Sequence, residues 1–154
     1  MPRKLRSVDS PNKLNAPSPP TPTPTGFDAD LNVVVCLGEL VGDPQTRELE
    51  SGSRLVTISL TIRSDGDPVT SLPLVVFDPS KRLEATLNSG GRVVVTGRVS
   101  RRFFRTPGGT QSRTELVVSR LEPARRTVAV TKMLDEATKR VLALIADADR
   151  PGAA

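Results

Sequence analysis

Residues 72–97 read LPLVVFDPSKRLEATLNSGGRVVVTG, and this stretch decides the fold class because it sets one short helix between two strands. Residues 72–77 predict a strand, with Leu72, Leu74 and Val76 on its more apolar face and Pro73, Val75 and Phe77 on the other. Asp78 then fits a helix N-cap, Pro79 the first helical position, and Gly90 or Gly91 the helix end. The valine run that follows predicts another strand.

The flanking sequence extends this pattern to five strands. Residues 55–63 alternate cleanly, with Val56, Ile58, Leu60 and Ile62 on one face. Strands are predicted over residues 31–37, 55–63, 72–77, 93–104 and 113–121, with turns at 42–44, 64–68 and 106–110. The order β-β-β-α-β-β describes an all-β, five-stranded oligonucleotide/oligosaccharide-binding (OB) fold barrel with one short helix between strands 3 and 4.

Composition divides the rest of the chain. Residues 1–30 carry seven of the fourteen prolines and predict a disordered N-terminal arm. Residues 31–122 form the predicted OB domain, residues 128–148 a C-terminal amphipathic helix, and residues 149–154 a tail. Because one amphipathic helix must bury its apolar stripe, the helix packs on its own barrel, on a twin helix in a dimer, or on another protein.

Positive charge is concentrated in one segment. The chain has a net charge of +5, yet residues 91–120 alone hold seven arginines against one acid, Glu115. Residues 98–113 read RVSRRFFRTPGGTQSR and place two of the chain's four phenylalanines among five arginines. Cations attract phosphates and exposed rings stack on bases, so the segment predicts nucleic-acid binding; the alternative is a solvated hairpin with its rings under the sheet.

Strand alternation gives these side chains a direction. Val93, Val95 and Val99 share one face of the fourth strand, which we assign to the core. Phe104 then projects outward with Arg98 and Arg102, and Phe103 leans inward provided that no bulge intervenes. Phe77 lies on the face opposite the apolar face of its own strand. There it is either exposed to solvent or covered by the helix or by a second subunit.

Several classes of function are disfavoured by what the chain lacks. It has one cysteine, Cys36, in an apolar run, and no histidine, so a disulfide framework within the chain, a Cys/His zinc site and a His-based catalytic pair are excluded. We expect no catalytic residues, no metal and no cofactor. No apolar run is long enough to cross a bilayer and no secretory signal follows the basic N-terminus, so we expect a cytoplasmic, nucleoid-associated protein without membrane partners.

Four segments together resemble the bacterial-type single-stranded DNA-binding proteins (SSB), with an arginine-rich hairpin most like divergent paralogues of high-GC Gram-positive bacteria. The segments are NVVVCLGELVGDP (32–44), VVF (75–77), LNSGGRVVVTG (87–97) and GTQSRTELVV (109–118). The resemblance implies that single-stranded DNA crosses the outer face of the barrel and stacks on aromatic residues, two of which carry over as Phe77 and Phe104. Ser71 stands where the family usually has Trp, and the chain ends without the family's acidic tip.

The sequence therefore predicts sequence-independent binding of single-stranded DNA by a homo-oligomer, either dimer or tetramer, for replication, recombination or repair. Bases stack on Phe104 and Phe77, and arginines bind the phosphates. RNA is an alternative ligand, because stacking does not depend on whether the sugar is ribose or deoxyribose. The candidate phosphate contacts are Arg98, Arg102, Arg105 and Arg113, extended by Arg63 and Arg54. The second hypothesis is an interaction module that has lost most DNA affinity and binds a partner through its C-terminal helix.

Overall fold

The computed structural model describes residues 30–148, and in them the five strands close into one barrel in the order β1-β2-β3-β5-β4. The predicted N-terminal arm, except for Asp30, and the predicted tail 149–154 lie outside the described residues. The elements are β1 (Val34–Glu48), β2 (Arg54–Ile62), β3 (Thr70–Phe77), α1 (Lys81–Ser89), β4 (Gly91–Thr106), β5 (Gly109–Pro123) and α2 (Thr127–Ala148). The OB-fold prediction is confirmed, including the short helix between strands 3 and 4 and the C-terminal helix.

The core is built by the alternation seen in the sequence. The predicted inward face of β2 is buried, with Leu60 fully shielded from solvent, and Leu74 on β3 is shielded equally. Each fully buried Leu or Val contributes about 1.5–3 kcal/mol relative to an exposed one. Cys36 packs against the edge of this cluster as expected, and burial raises the pKa of its thiol.

The predicted turn at 42–44 is wrong. Residues Gly42-Asp43-Pro44 lie inside one continuous strand, β1, as a bulge. Val41 pairs with Ser59 and Gln45 with Thr57, so three residues of β1 face one residue of β2. A bulge bends its strand, and β1 divides its pairing between two neighbours: residues 34–40 pair with β4 and residues 39–48 pair with β2.

The N-cap of α1 is Ser80 and not Asp78. The Ser80 hydroxyl accepts a hydrogen bond of 3.2 Å from the backbone N–H of Leu83. Asp78 instead has a positive φ of 43° and its carboxylate accepts a 2.7 Å hydrogen bond from the backbone N–H of Arg54. Its side chain therefore joins the end of β3 to the start of β2, and the predicted end of the helix at Gly90 is confirmed.

Helix α2 packs on its own barrel, which is the first of the three partners that the sequence left open for its apolar stripe. Met133 is 1 % exposed, and Glu136 forms an ion pair with Arg120 on β5. The nearly buried carboxylate of Glu122 also forms ion pairs. Its oxygens lie 3.4, 3.9 and 3.3 Å from guanidinium nitrogens of Arg82, Arg120 and Arg126. One carboxylate thereby ties together α1, β5 and the start of α2.

Strands β4 and β5 run past the barrel as a two-stranded arm. From Arg98 to Thr106 and from Gly109 to Glu115, within the described chain, these strands have ladder partners only in each other. We call residues 98–106 and 109–115 the arm. Val99 lies on the core face as predicted, because it pairs with the buried Leu116, but it is 43 % exposed. The inward position predicted for Phe103 is wrong: it lies farther along the arm, where no core is beneath it, and is 65 % exposed.

The two ends of the arm are well defined. Thr106 pairs with Gly109 across a two-residue turn at the tip. At the base, the Asn32 side chain donates to the carbonyl of Val99 at 2.8 Å and accepts from its N–H at 2.9 Å. These paired hydrogen bonds fix the arm to the start of β1. None of the helices in residues 30–148 is both long and apolar enough to span a bilayer.

Candidate nucleic-acid interface

The outer faces of the strands form a shallow groove of about 250 Å³. Strand register explains its continuity: Arg47 pairs with Leu55, and Leu55 with Phe77. Val75 pairs with Val117, and Val117 with Arg98 on β4. The groove is lined among others by Phe77, by the apolar residues Leu55 and Val75, and by the arginines Arg47, Arg98, Arg101 and Arg102.

Phe77 lies on an apolar floor within this groove. The ring is 49 % exposed, whereas Leu55 and Val75 beneath the same surface are 5 % and 2 % exposed. A ring supported from one side and open on the other offers a face on which a nucleobase can stack.

The side of the arm continuous with the groove carries the other residues of the predicted face. Arg98, Arg102 and Phe104 alternate along β4, and Phe104 is 38 % exposed. Arg113 on β5 pairs directly with Arg102. Two like charges opposite each other destabilise a strand pair, and a bound anion would relieve their repulsion.

Arg105 lies on the opposite side of the arm. It alternates with Phe103 and Arg101, so it does not share a surface with Phe104 as the sequence analysis grouped it. We call this surface, formed by Arg101, Phe103 and Arg105, the far side of the arm. Within residues 30–148, no ion pair engages Arg98, Arg102, Arg105 or Arg113.

The other two predicted arginines have carboxylate partners. Arg54 forms an ion pair with Glu84 of α1, and the Arg63 guanidinium lies 3.2 Å from the carboxylate of Glu39. Both pairs are partly exposed, so each is weak and open to exchange with a ligand. These side chains are therefore less available to phosphates than the arginines of the arm.

Glu115 is the acid of the arm and lies in the groove. It pairs with Ser100 and is only 7 % exposed, close to a surface otherwise dominated by arginine. A carboxylate at this place reduces the attraction of the groove for an anion.

Sequence reasoning did not select Arg47 as a site residue or the far side as a surface. Arg47 enters the groove because β1 continues through its bulge, which the predicted turn concealed. The signal for the far side was present in the alternation Arg101, Phe103, Arg105, but that side was assigned to the core.

The fold and the groove together define an OB-fold protein with a basic, aromatic outer face, and comparison with known proteins identifies the family. The model of the Single-strand binding protein family matches residues 31–124, more than half of the chain. The chain belongs to this family.

Solved structures give the same fold. Among 168 matching chains is the Plasmodium falciparum SSB in complex with ssDNA, with a TM-score of 0.52 and 22 % sequence identity. The match covers 62 % of this chain and 94 % of that chain. A search of curated proteins gave no match.

Proposed function

We propose that this protein binds single-stranded DNA without sequence preference, stacking bases on Phe77 and Phe104. Arg98, Arg102 and Arg113 contact the phosphates on the side of Phe104, and Arg105 contacts them from the far side of the arm. Membership of the Single-strand binding protein family and the likeness to an SSB solved with ssDNA support this proposal. We further propose a non-enzymatic role, protecting or organising ssDNA in replication, recombination or repair, in the cytoplasm near the nucleoid.

One observation carries the proposal: exposed phenylalanines lie beside arginines that have no carboxylate partner in the described structure. An arginine without a carboxylate partner binds phosphate readily, because its guanidinium is weakly hydrated and matches the phosphate oxygens, and the guanidinium also stacks on bases. Arg63 and Arg54 extend the path in a secondary role, because each must first give up its ion pair.

Stacking at Phe104 is tested by Phe104→Ala. Loss of one stacked base costs about 1–3 kcal/mol, so affinity for a fluorescein-labelled oligo-dT should fall about 5- to 150-fold in anisotropy titrations. Val99→Ala is the matched control, because Val99 is an exposed apolar residue of the same arm on its other side. Equal affinities of the two variants, both folded by circular dichroism, would refute a stacking role for Phe104.

We also propose a homo-oligomer, and the outer face of β1 supports it. Val35, Leu37 and Val41 lie on this face, with the ion-paired Glu39 between the last two, and are 50 %, 48 % and 46 % exposed. A row of exposed aliphatic side chains favours burial against a second copy. Leu37→Asp should yield monomers by multi-angle light scattering, whereas an unchanged mass would exclude this surface.

The second candidate function is a protein-interaction module. Leu142 and Ile145 on α2 are 58 % and 49 % exposed, beyond the part of the helix that packs on the barrel. Gel shifts with single-stranded DNA, double-stranded DNA and single-stranded RNA of equal length separate the hypotheses. Preference for single strands supports the first function, and comparison of the single-stranded DNA and RNA shows whether the protein distinguishes deoxyribose from ribose. Absence of binding to all three supports the second function.

A further inference from the structure

The far side of the arm carries the most exposed aromatic ring of the described residues. Phe103 is 65 % exposed, against 49 % for Phe77 and 38 % for Phe104. A ring so exposed gains little from burial in the free protein and leaves apolar area open to a ligand.

The ring has a fixed cation on one face. The Arg101 guanidinium carbon lies 5.4 Å from the centre of the Phe103 ring. Two hydrogen bonds to the Ser112 hydroxyl, of 3.0 Å from Nε and 2.8 Å from Nη2, hold the guanidinium in this position. The opposite face of the ring stays open, so a base stacking there would complete a base–ring–guanidinium sandwich.

The surroundings of the ring complete an anion-binding surface. Arg105 follows Phe103 by two residues and therefore projects on the same side, without an ion pair in the described residues. Across the strand pair, Thr110, Ser112 and Thr114 supply hydroxyl groups. The one acid of the arm, Glu115, lies on the groove side.

We propose that the far side of the arm is a second binding face for single-stranded nucleic acid, with a base on Phe103 and phosphates on Arg101 and Arg105. The arm is then held between two passes of one strand, the first in the groove and the second on the far side. This inference rests on the proposed function and extends it to Phe103 and Arg105, which do not line the groove, whereas Arg101 borders both surfaces.

Charge and geometry favour a nucleic-acid strand over a second copy of this chain on this surface. A second copy of the arm would bring the same arginines into contact, and like charges repel. The two sides are separated by the thickness of one two-stranded ribbon. A strand that leaves the groove at Phe104 therefore reaches the far side by turning around the tip at Pro107-Gly108.

The test compares Phe103→Ala with Phe104→Ala on labelled oligo-dT strands of increasing length. An OB fold occupies about 4–16 nucleotides, so the series starts below this range and ends at several times its upper limit. On strands that allow one pass, Phe104→Ala should weaken binding about 5- to 150-fold and Phe103→Ala by less than about twofold. On long strands Phe103→Ala should lose about 5- to 150-fold in affinity.

A second readout is the number of nucleotides bound per protomer at saturation, which should fall for Phe103→Ala and for Arg101→Gln. Because Phe103 is exposed and outside the core, Phe103→Ala should fold normally, and circular dichroism checks this.

Each outcome has one meaning. If Phe104→Ala weakens binding while Phe103→Ala matches the unmodified protein at every length, the second face is refuted and the proposed function stands. If neither variant nor the arginine variants change binding, both are refuted. If Phe103→Ala changes only the oligomer mass in light scattering, the far side is a contact between copies and the inference is wrong.

Discussion

The sharpest prediction concerns the salt dependence of binding, because the structure separates arginines with carboxylate partners from arginines without them. The four unpaired arginines that we predict to contact phosphate, each releasing counterions from one phosphate, give log K against log salt a slope of about −3 on single strands. Raising salt from ~50 to ~200 mM should therefore weaken binding about 50-fold. The four are Arg98, Arg102, Arg105 and Arg113.

The informative perturbation is Arg102→Gln, which keeps a polar side chain and removes one unpaired charge. Its slope should be about −2, with a loss of about 20-fold over the same salt range. The matched control is Arg63→Gln combined with Glu39→Gln, since these side chains form an ion pair of 3.2 Å. The double variant keeps the net charge and should retain a slope within about 0.3 of the unmodified protein.

The assay is fluorescence anisotropy of a labelled oligo-dT at four salt concentrations, with the slope taken from the affinities. A slope close to zero for the unmodified protein would contradict electrostatic binding. Equal changes of slope in Arg102→Gln and in the Arg63/Glu39 double variant would contradict the distinction between paired and unpaired arginines.

Three further predictions test the fold and the groove. A Cβ on Gly97 would lie 2.1 Å from the carbonyl oxygen of Val117, so Gly97→Ala should destabilise the protein by about 1–3 kcal/mol or more in urea denaturation, whereas Gly108→Ala, with open space around it, should not. Val95→Asp places a carboxylate at a fully buried position and should abolish the cooperative unfolding transition in thermal circular dichroism; a normal melting curve would contradict the assigned core. Glu115→Gln removes a negative charge from the groove and should tighten ssDNA binding about two- to fivefold by anisotropy, and weaker binding would show that Glu115 orients the arginines instead.

The parts of the fold that the sequence predicted are those set by local periodicity. Alternation over 55–63 identified the buried face of β2 because a strand places every second side chain on one side regardless of its partners. The helix end at Gly90 was likewise predictable, since a residue with positive φ follows many helices and glycine adopts it without strain.

The failures arose where distant parts of the chain decide between local alternatives. Gly42-Asp43-Pro44 suits either a turn or a bulge, and pairing with β2 and β4 selects the bulge. Asp78 and Ser80 are both good N-caps, and the N–H of Arg54, 24 residues earlier, engages Asp78. Local sequence contains neither partner.

The candidate site shows the same limit. Alternation correctly placed Phe104 with Arg98 and Arg102, because side relations along one strand are local. It failed for Phe103, because a side chain on the inner face is buried only where other strands close a core over it. The barrel closes only as far as about Gly97 on β4 and Leu116 on β5. The length of the arm beyond that point depends on the tilt of all five strands.

The distribution of ion pairs separates the arginines that hold the fold from those available to a ligand. On the barrel, Arg82, Arg120 and Arg126 converge on Glu122, so their charges join helices and strands. On the arm, Arg102 and Arg113 pair across the ladder with no carboxylate of the described residues to neutralise them, an arrangement that lowers the stability of the free protein. Selection for stability alone would replace one of them with an acid, as elsewhere in the same sheet. A phosphate bound between Arg102 and Arg113 supplies the missing negative charge and attracts both guanidinium groups. The two residues therefore repel each other in the free protein and stabilise the complex.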